Sequence, residues 1–264
     1  MPSADPPTPG LGQALVLRGR AWWHVVHLGA LVLALLVSPA SYRRGRWPRL
    51  AQHLVQASAP LLVWFSLLSA LVSVVLIHIV LVTALSYGLS QYAMQMVVRV
   101  LVLELIPLSA AMAVALRVSV PAAAELAALR RGGGFDALRA SGLEPLHHEI
   151  LPRALGGLFA VLLLAAVSSV LALVLTYLAV HGFSPWGFER FTRTVGQVFS
   201  PAVSLIFCLK TLAFAAAVAL IPLGSSLHEH PGRFSPLPLE LQGLVRMFVV
   251  IILIEVASLV GNYY

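Results

Sequence analysis

The feature that most constrains this chain is a long segment without formal charge. No Asp, Glu, Lys or Arg occurs between Arg49 and Arg99, and about 20 apolar residues are enough for a helix to cross a bilayer. Of all 264 residues, 59% are hydrophobic and only 10% are charged, a composition outside the usual range of soluble domains. The chain is therefore predicted to be an integral membrane protein.

Five apolar stretches are predicted to cross the membrane as helices. In lipid, backbone polar groups must be satisfied internally, which leaves helices or a closed barrel, and unbroken Leu, Val and Ala runs lack the alternation of barrel strands. The single cysteine, Cys208, falls in the fourth stretch and is expected to be a small buried residue. The predicted fold is an all-α bundle with spans at about 60–87, 93–116, 155–180, 198–223 and 239–260.

The N-terminal region is predicted to stay on one side of the membrane. Residues 1–10 have the composition of a disordered tail. Residues 11–49 combine Trp, Arg and His with a short apolar run, which favours an interfacial helix followed by a basic segment; a further span is the alternative. Because arginines concentrate here and between the second and third spans, both regions are predicted to be cytoplasmic, with the C-terminus outside.

Glu104 is the most unusual residue of the second predicted span because it lies near its middle. An isolated charge in hydrocarbon is costly, so this carboxyl must be paired or neutralised. Lys210, midway along the fourth span, is its preferred partner, within one protomer or across two. Two other interpretations stay open: a protonated Glu104 that only fixes packing, and a Glu104 that lines a polar cavity. Pro107, three residues later, is expected to kink the helix.

The polar stretch from Arg117 to Arg153 is predicted to form two short helices on the cytoplasmic face. The first should start at about Pro121 and stop at glycines 132–134, and the second should cover 135–140. Their charged residues cannot lie in lipid and their apolar residues need cover, which indicates a docking surface for a partner. A connector whose apolar residues pack on the protein's own spans is the alternative. The candidate docking residues are Glu125, Leu126, Leu129, Arg130, Asp136, Leu138 and Arg139.

No pattern in the sequence indicates catalysis or a metal site. The sequence shows neither a nucleophile with its base nor a cluster of metal ligands. The glycine-rich RRGGGFD at 130–136 lacks the Gly-Lys-Ser/Thr ending of a phosphate-binding loop. The chain is therefore not expected to be an enzyme, to hold a cofactor or to bind ATP itself.

Several short motifs follow one another along the chain: Glu-Leu-x-Pro at 104–107, Arg117, Ala124-Glu125, Asp-Ala-Leu at 136–138, Glu144-Pro145 and Pro-Arg at 152–153. In this order they resemble the MlaE/YrbE family, the permease subunits of ABC transporters that work with MCE proteins in lipid transport. Lys210 and Glu255 also match the family's lysine in the fourth span and its acidic residue in the last one. Leu103 departs from the family, which usually has arginine there. The resemblance covers about residue 50 to the C-terminus, which defines an MlaE-like permease domain at 50–264.

This resemblance implies a complex in a bacterial inner membrane. Two copies of the chain would form a lipid-binding cavity, and a separate cytoplasmic ABC ATPase, with its ATP and magnesium, would grip the loop from Ala122 to Leu138. A periplasmic MCE-domain protein would sit on the outer face, and a small STAS-type cytoplasmic protein can take part. The alternatives are a secondary transporter or channel that uses Glu104 and Lys210, and a structural subunit without a pathway. The predicted pathway residues are Glu104, Pro107, Leu101, Leu108, Lys210, Leu76 and Tyr87.

Overall fold

The fold is described from a computed structural model, which places residues 29–30, 47–142, 144–228 and 239–263. The predicted tail at 1–10 and nearly all of the predicted interfacial and basic segment at 11–49 lie outside these ranges. Every element within them is helical, which confirms the predicted all-α class. Five stretches are long and apolar enough to cross a membrane and are called spans 1 to 5: Ala51–Ser86, Tyr92–Arg131, His148–His181, Pro201–Leu227 and Gly243–Asn262.

Nine α-helices in the described ranges, numbered in chain order, build these spans and the segments between them. They are α1 (Trp47–Ser86), α2 (Ser90–Val97), α3 (Ile106–Val114), α4 (Val120–Arg131), α5 (Gly134–Ala140), α6 (Leu151–His181), α7 (Phe188–Val198), α8 (Pro201–His228) and α9 (Leu239–Tyr263). Spans 1, 4 and 5 lie within α1, α8 and α9, and span 3 contains α6. Span 2 joins α2, α3 and α4 into one continuous helix.

Short π-helical segments interrupt the α-helices at three places in the described residues, and a proline follows each of them. The segments are Val98–Leu105, Ala115–Ser119 and Leu146–Ile150, followed by prolines 107, 121 and 152. Proline has no N–H to give to the carbonyl four residues earlier, and a π-turn moves the hydrogen bond to the fifth residue. The Ile106 N–H, for instance, donates to the Leu101 carbonyl.

These π-turns change where the second span ends. The sequence predicted a span up to about residue 116 and a new short helix from Pro121. Instead the helix runs unbroken from Tyr92 to Arg131, because the wider turn at Ala115–Ser119 accommodates Pro121 without breaking the chain of hydrogen bonds. The predicted stop at the glycines is confirmed, since α4 ends at Arg131 and Gly133 has a φ of 72°, a conformation that glycine adopts without strain.

One apolar core joins all five spans. Phe65, Val114, Leu164, Phe214 and Met247 come one from each span and are all buried. Many of their neighbours in this core are alanines, and small residues let helices approach closely in a membrane. Spans 2 and 4 are the most buried, with 56% and 50% of their most apolar stretches inside the protomer, against 22% for spans 1 and 5.

The glycine pair at 156 and 157 shows how closely span 3 packs against its neighbours. A Cβ on Gly156 would lie 3.2 Å from the Ala57 Cβ of span 1, and one on Gly157 would lie 3.3 Å from the Ser119 Oγ of span 2. Both distances are shorter than ordinary van der Waals contacts. Cys208, by contrast, is exposed on the outer surface of the bundle and not buried as predicted, because its side of α8 faces away from the other spans.

Candidate functional site

A charged cluster inside the bundle joins spans 2, 4 and 5. Lys210 Nζ donates to a carboxylate oxygen of Glu104 and lies 2.8 Å from Glu255 Oε2. The second contact is an ion pair by distance, although its angles are not those of a hydrogen bond. The pairing of Glu104 with Lys210 that the sequence favoured is therefore present, and Glu255 is a second carboxylate on the same ammonium group.

Two further groups complete the surroundings of the Lys210 cluster, which we define as Lys210, Glu104, Glu255 and Asn262. Lys210 Nζ also lies 3.4 Å from the carbonyl oxygen of Leu103, the residue four positions before Pro107, which has no N–H to offer it. Asn262 Nδ2 is 3.5 Å from Glu104 Oε1. The lysine, itself on span 4, thus meets acceptors from spans 2 and 5.

The lysine of the cluster is more deeply buried than its two carboxylates. The Lys210 side chain is 1% exposed, whereas Glu104 and Glu255 are 14% and 17% exposed. The ammonium group is therefore enclosed, and the two carboxylates provide the accessible side of the cluster. Buried ion pairs cost desolvation that their attraction only partly offsets, so a charged cluster within membrane-spanning helices points to a functional site.

The positions of Glu104 and Lys210 along their spans agree with a depth near the middle of the membrane, whereas Asn262 is the last residue of span 5. Glu104 follows Tyr92, the first residue of span 2, by about 18 Å at the usual rise per residue, and Lys210 follows Pro201 by about 14 Å. Half of the hydrocarbon thickness is about 15 Å. The extra length of span 2 lies on the other side of Glu104, toward Arg131.

The remaining predicted pathway residues have different surroundings. Leu101 and Pro107 are buried in the protomer, and Leu101 packs with Ile77 and Val98. Leu76 and Leu108 are half-buried against the apolar clusters. Tyr87, at the end of span 1, is exposed. The structure therefore brings Glu104 and Lys210 together but does not gather all seven predicted residues around one open cavity.

The candidate docking residues lie on α4 and α5, at the end of the bundle opposite α7. Glu125, Asp136 and Arg139 are exposed, and Arg139 pairs with Asp136 at 3.4 Å. Leu126 is fully buried in the protein's own core beside Leu223. This corrects the expectation that Leu126 needs cover from a partner: it anchors α4 to span 4, as the connector interpretation proposed.

The other candidate docking residues tie these two helices together and to span 4. Arg130 donates to the carbonyl oxygen of Leu227. Leu129 and Leu138 are half-buried, and a Cβ on Gly134 would lie only 2.7 Å from Leu129 Cδ1. The exposed part of this surface is therefore mainly charged, and its α4 part is held to span 4 by Leu126 and Arg130.

Aromatic side chains gather at the opposite end of the bundle. Tyr177 and His181 at the end of α6 stack at 5.3 Å between ring centroids, and Phe191 of α7 meets Tyr177 edge-on. Phe183 and Trp186, in the loop before α7, are almost fully exposed. Aromatic residues of this kind are typical of a membrane–water interface.

Asn262 is the one member of the cluster that the sequence analysis missed. It follows Glu255 by seven residues, which is about two helical turns and places both on one face of α9. This spacing could have indicated it, but an uncharged amide near the end of a span gives little signal. Within the described residues, no group of three or more His, Cys, Asp or Glu side chains could hold a metal ion.

The fold and the cluster define a multi-pass helical membrane protein that keeps ionisable groups deep between its spans. The family model described as Permease MlaE matches residues 50–260. The match covers most of the chain, which therefore belongs to the MlaE permease family, as its motifs indicated. A search of curated proteins found no match to this chain. Membership of the family implies the membrane permease component of an ABC lipid transporter.

Proposed function

We propose that this chain is the permease subunit that moves phospholipid or a related lipid between the inner membrane and a periplasmic MCE-domain protein, driven by a separate ABC ATPase. The observation that carries the proposal is the Lys210 cluster, found in a chain whose family match covers the same spans. A subunit that only held others together would have no evident use for three ionisable groups between its spans. A lipid that crosses the bundle must bring its polar headgroup past the apolar spans, and the charged cluster can interact with that headgroup.

The pathway in this proposal lies between two copies of the chain. Glu104 and Glu255 keep partial exposure while Lys210 behind them is enclosed. In a membrane, accessible carboxylates at this depth must meet a polar partner, a water-filled space or a headgroup. A second protomer opposite this surface would enclose the space, and a two-fold dimer is the commonest closed arrangement of identical soluble chains.

The ATPase in this proposal docks on α4 and α5. These helices present Glu125, Asp136 and Arg139 on a base that Leu126 and Arg130 fix to span 4. A packed connection of this kind can transmit a movement of the ATPase to the spans, so that ATP binding shifts the permease between states of different lipid affinity. In this orientation the aromatic end with Phe183 and Trp186 faces the periplasm and the MCE protein.

Capture of the ATPase tests the docking surface. The tagged chain is crosslinked in its own host and purified, and co-purifying proteins with a Walker A motif are identified by mass spectrometry. Asp136→Lys, which reverses an exposed charge on α5, should lower ATPase recovery at least tenfold. The matched control is Glu189→Lys on α7, which reverses an equally exposed carboxylate paired at 2.9 Å with Arg193 at the other end.

The outcome separates the possible functions. Loss of the ATPase in the α5 variant with retention in the α7 variant supports an ABC permease that docks through α5. A chain that transports lipid or ions with no ATPase bound would contradict the proposal and favour a secondary transporter. An ATPase lost only in the Glu189→Lys variant would reverse the proposed orientation.

A further inference from the structure

A cavity of about 600 Å³ lies between spans 1, 2 and 3, away from the Lys210 cluster. None of the described residues that line it belongs to span 4 or span 5. Its volume falls in the range of about 300–1,000 Å³ that is usual for small-molecule sites. The cavity is therefore separate from the proposed lipid pathway and large enough to hold part of a lipid.

The lining of the cavity changes from polar to apolar along span 1. His53 and Gln56 line one end, and Trp64, Phe65 and Leu68 line the other. From residue 53 to residue 68 the helix rises by about 22 Å. One leaflet of a bilayer, with its headgroup layer, is about 20–22 Å thick. The polar end thus lies at headgroup level when the apolar end reaches the bilayer centre.

Among the charged residues at the polar end of the cavity, one arginine is available to bind a ligand. Arg153 is held by Glu149, and Glu125 lies 3.8 Å from it. Arg117 is exposed, and no hydrogen bond or ion pair to it occurs among the residues that the structure describes. Because Arg153 already has two carboxylates beside it, Arg117 is the positive charge of the lining that a ligand can meet.

We propose that this cavity binds one anionic phospholipid of the leaflet on the side of α4, with its phosphate on Arg117 and an acyl chain against Trp64 and Leu68. A guanidinium group matches phosphate with two parallel hydrogen bonds, and the apolar wall continues from there toward the bilayer centre. The N-terminal segment of this chain is a poorer occupant by charge, because residues 11–49 are rich in arginine. The site goes beyond the proposed transport function, since it requires neither the ATPase nor the MCE protein.

Fluorescence of Trp64 tests the proposal in the full-length chain. Trp22, Trp23, Trp47 and Trp186 are replaced by Phe, and the protein is reconstituted in phosphatidylcholine vesicles with about one tenth of the lipid brominated in its acyl chains. The brominated lipid is either phosphatidylglycerol or phosphatidylcholine. One arginine near the membrane surface favours an anionic lipid over a neutral one by about fivefold. Quenching of Trp64 should therefore show a local concentration of phosphatidylglycerol about fivefold above that of phosphatidylcholine.

Variants show whether Arg117 causes the preference. Arg117→Gln should remove it, while Arg131→Gln, on the same helix but outside the cavity lining, should keep it. Equal quenching by the two lipids, or an unchanged preference in Arg117→Gln, would overturn the proposal. If Arg117→Gln does not remain monodisperse, salt gives the second test: the preference should fall steeply with ionic strength, and a preference independent of salt would equally overturn it. Neither result depends on transport, because no ATPase is present.

Discussion

At the scale of single residues, the main property of the Lys210 cluster is that its positive charge is shared between two carboxylates. One ammonium group holds two carboxylates, and an amide reaches one of them. The Glu104–Lys210 pair could be predicted because these are the mid-span charges of opposite sign. Glu255 came from the family motif, and Asn262 was missed because an amide near a span end resembles any interfacial residue. Cys208 was expected to be buried and is exposed, because its apolar neighbours in the sequence do not reveal which face of α8 points outward.

This shared pairing predicts that replacing Lys210 and replacing Glu104 lower the stability of the protein by different amounts. Lys210→Ala leaves two carboxylates without a cation, and removal of one partner from a buried pair costs about 3–5 kcal/mol. Glu104→Ala leaves Lys210 still paired with Glu255 and should cost distinctly less. Thermal unfolding in detergent, followed by the loss of monodisperse protein, measures the difference. Cys208→Ala, at an exposed position two residues before Lys210, is the control; equal losses in the two cluster variants would contradict this account.

At the scale of helices, the sequence predicted the number and approximate place of the spans but not their ends. The usual rule that a proline starts or breaks a helix failed at Pro121, because a π-turn absorbs it. The same shift at Val98–Leu105 alters which side chains share a face with Glu104. Leu101, which the sequence analysis expected on the lipid pathway, is instead buried in the protomer core.

The packing of span 3 against span 1 gives a prediction at this scale. Gly156→Leu should destabilise the bundle, because its Cβ alone would meet the Ala57 Cβ at 3.2 Å and overpacking costs about 1–3 kcal/mol. Gly196→Leu on α7 is the matched control, since a Cβ there meets nothing within 4 Å. The thermal stability of the two purified variants is compared with the unmodified chain. A similar loss of stability in both would mean that the contact between spans 1 and 3 is looser than the structure shows.

At the scale of the whole molecule, the structure places the charged cluster and the α4–α5 surface at different depths of one bundle. They are connected through span 2, which carries Glu104 and continues without a break to Arg131. The sequence predicted both sites but treated them as separated by a loop, because helix continuity through two prolines depends on hydrogen bonds that composition does not reveal. A single helix gives a direct mechanical route between the proposed ATPase surface and the proposed lipid pathway.

The measurement that tests this account most directly is ATP-dependent lipid transfer by the purified complex. The chain and its co-purified partners are reconstituted in vesicles with a fluorescent phospholipid, and the amount of lipid transferred is measured with and without ATP. Glu104→Ala should lower the transfer rate at least tenfold while ATPase recovery stays unchanged, because the variant alters the pathway and not the docking surface. Transfer by Glu104→Ala at the rate of the unmodified complex would contradict the claim that the Lys210 cluster lies on the path of the lipid.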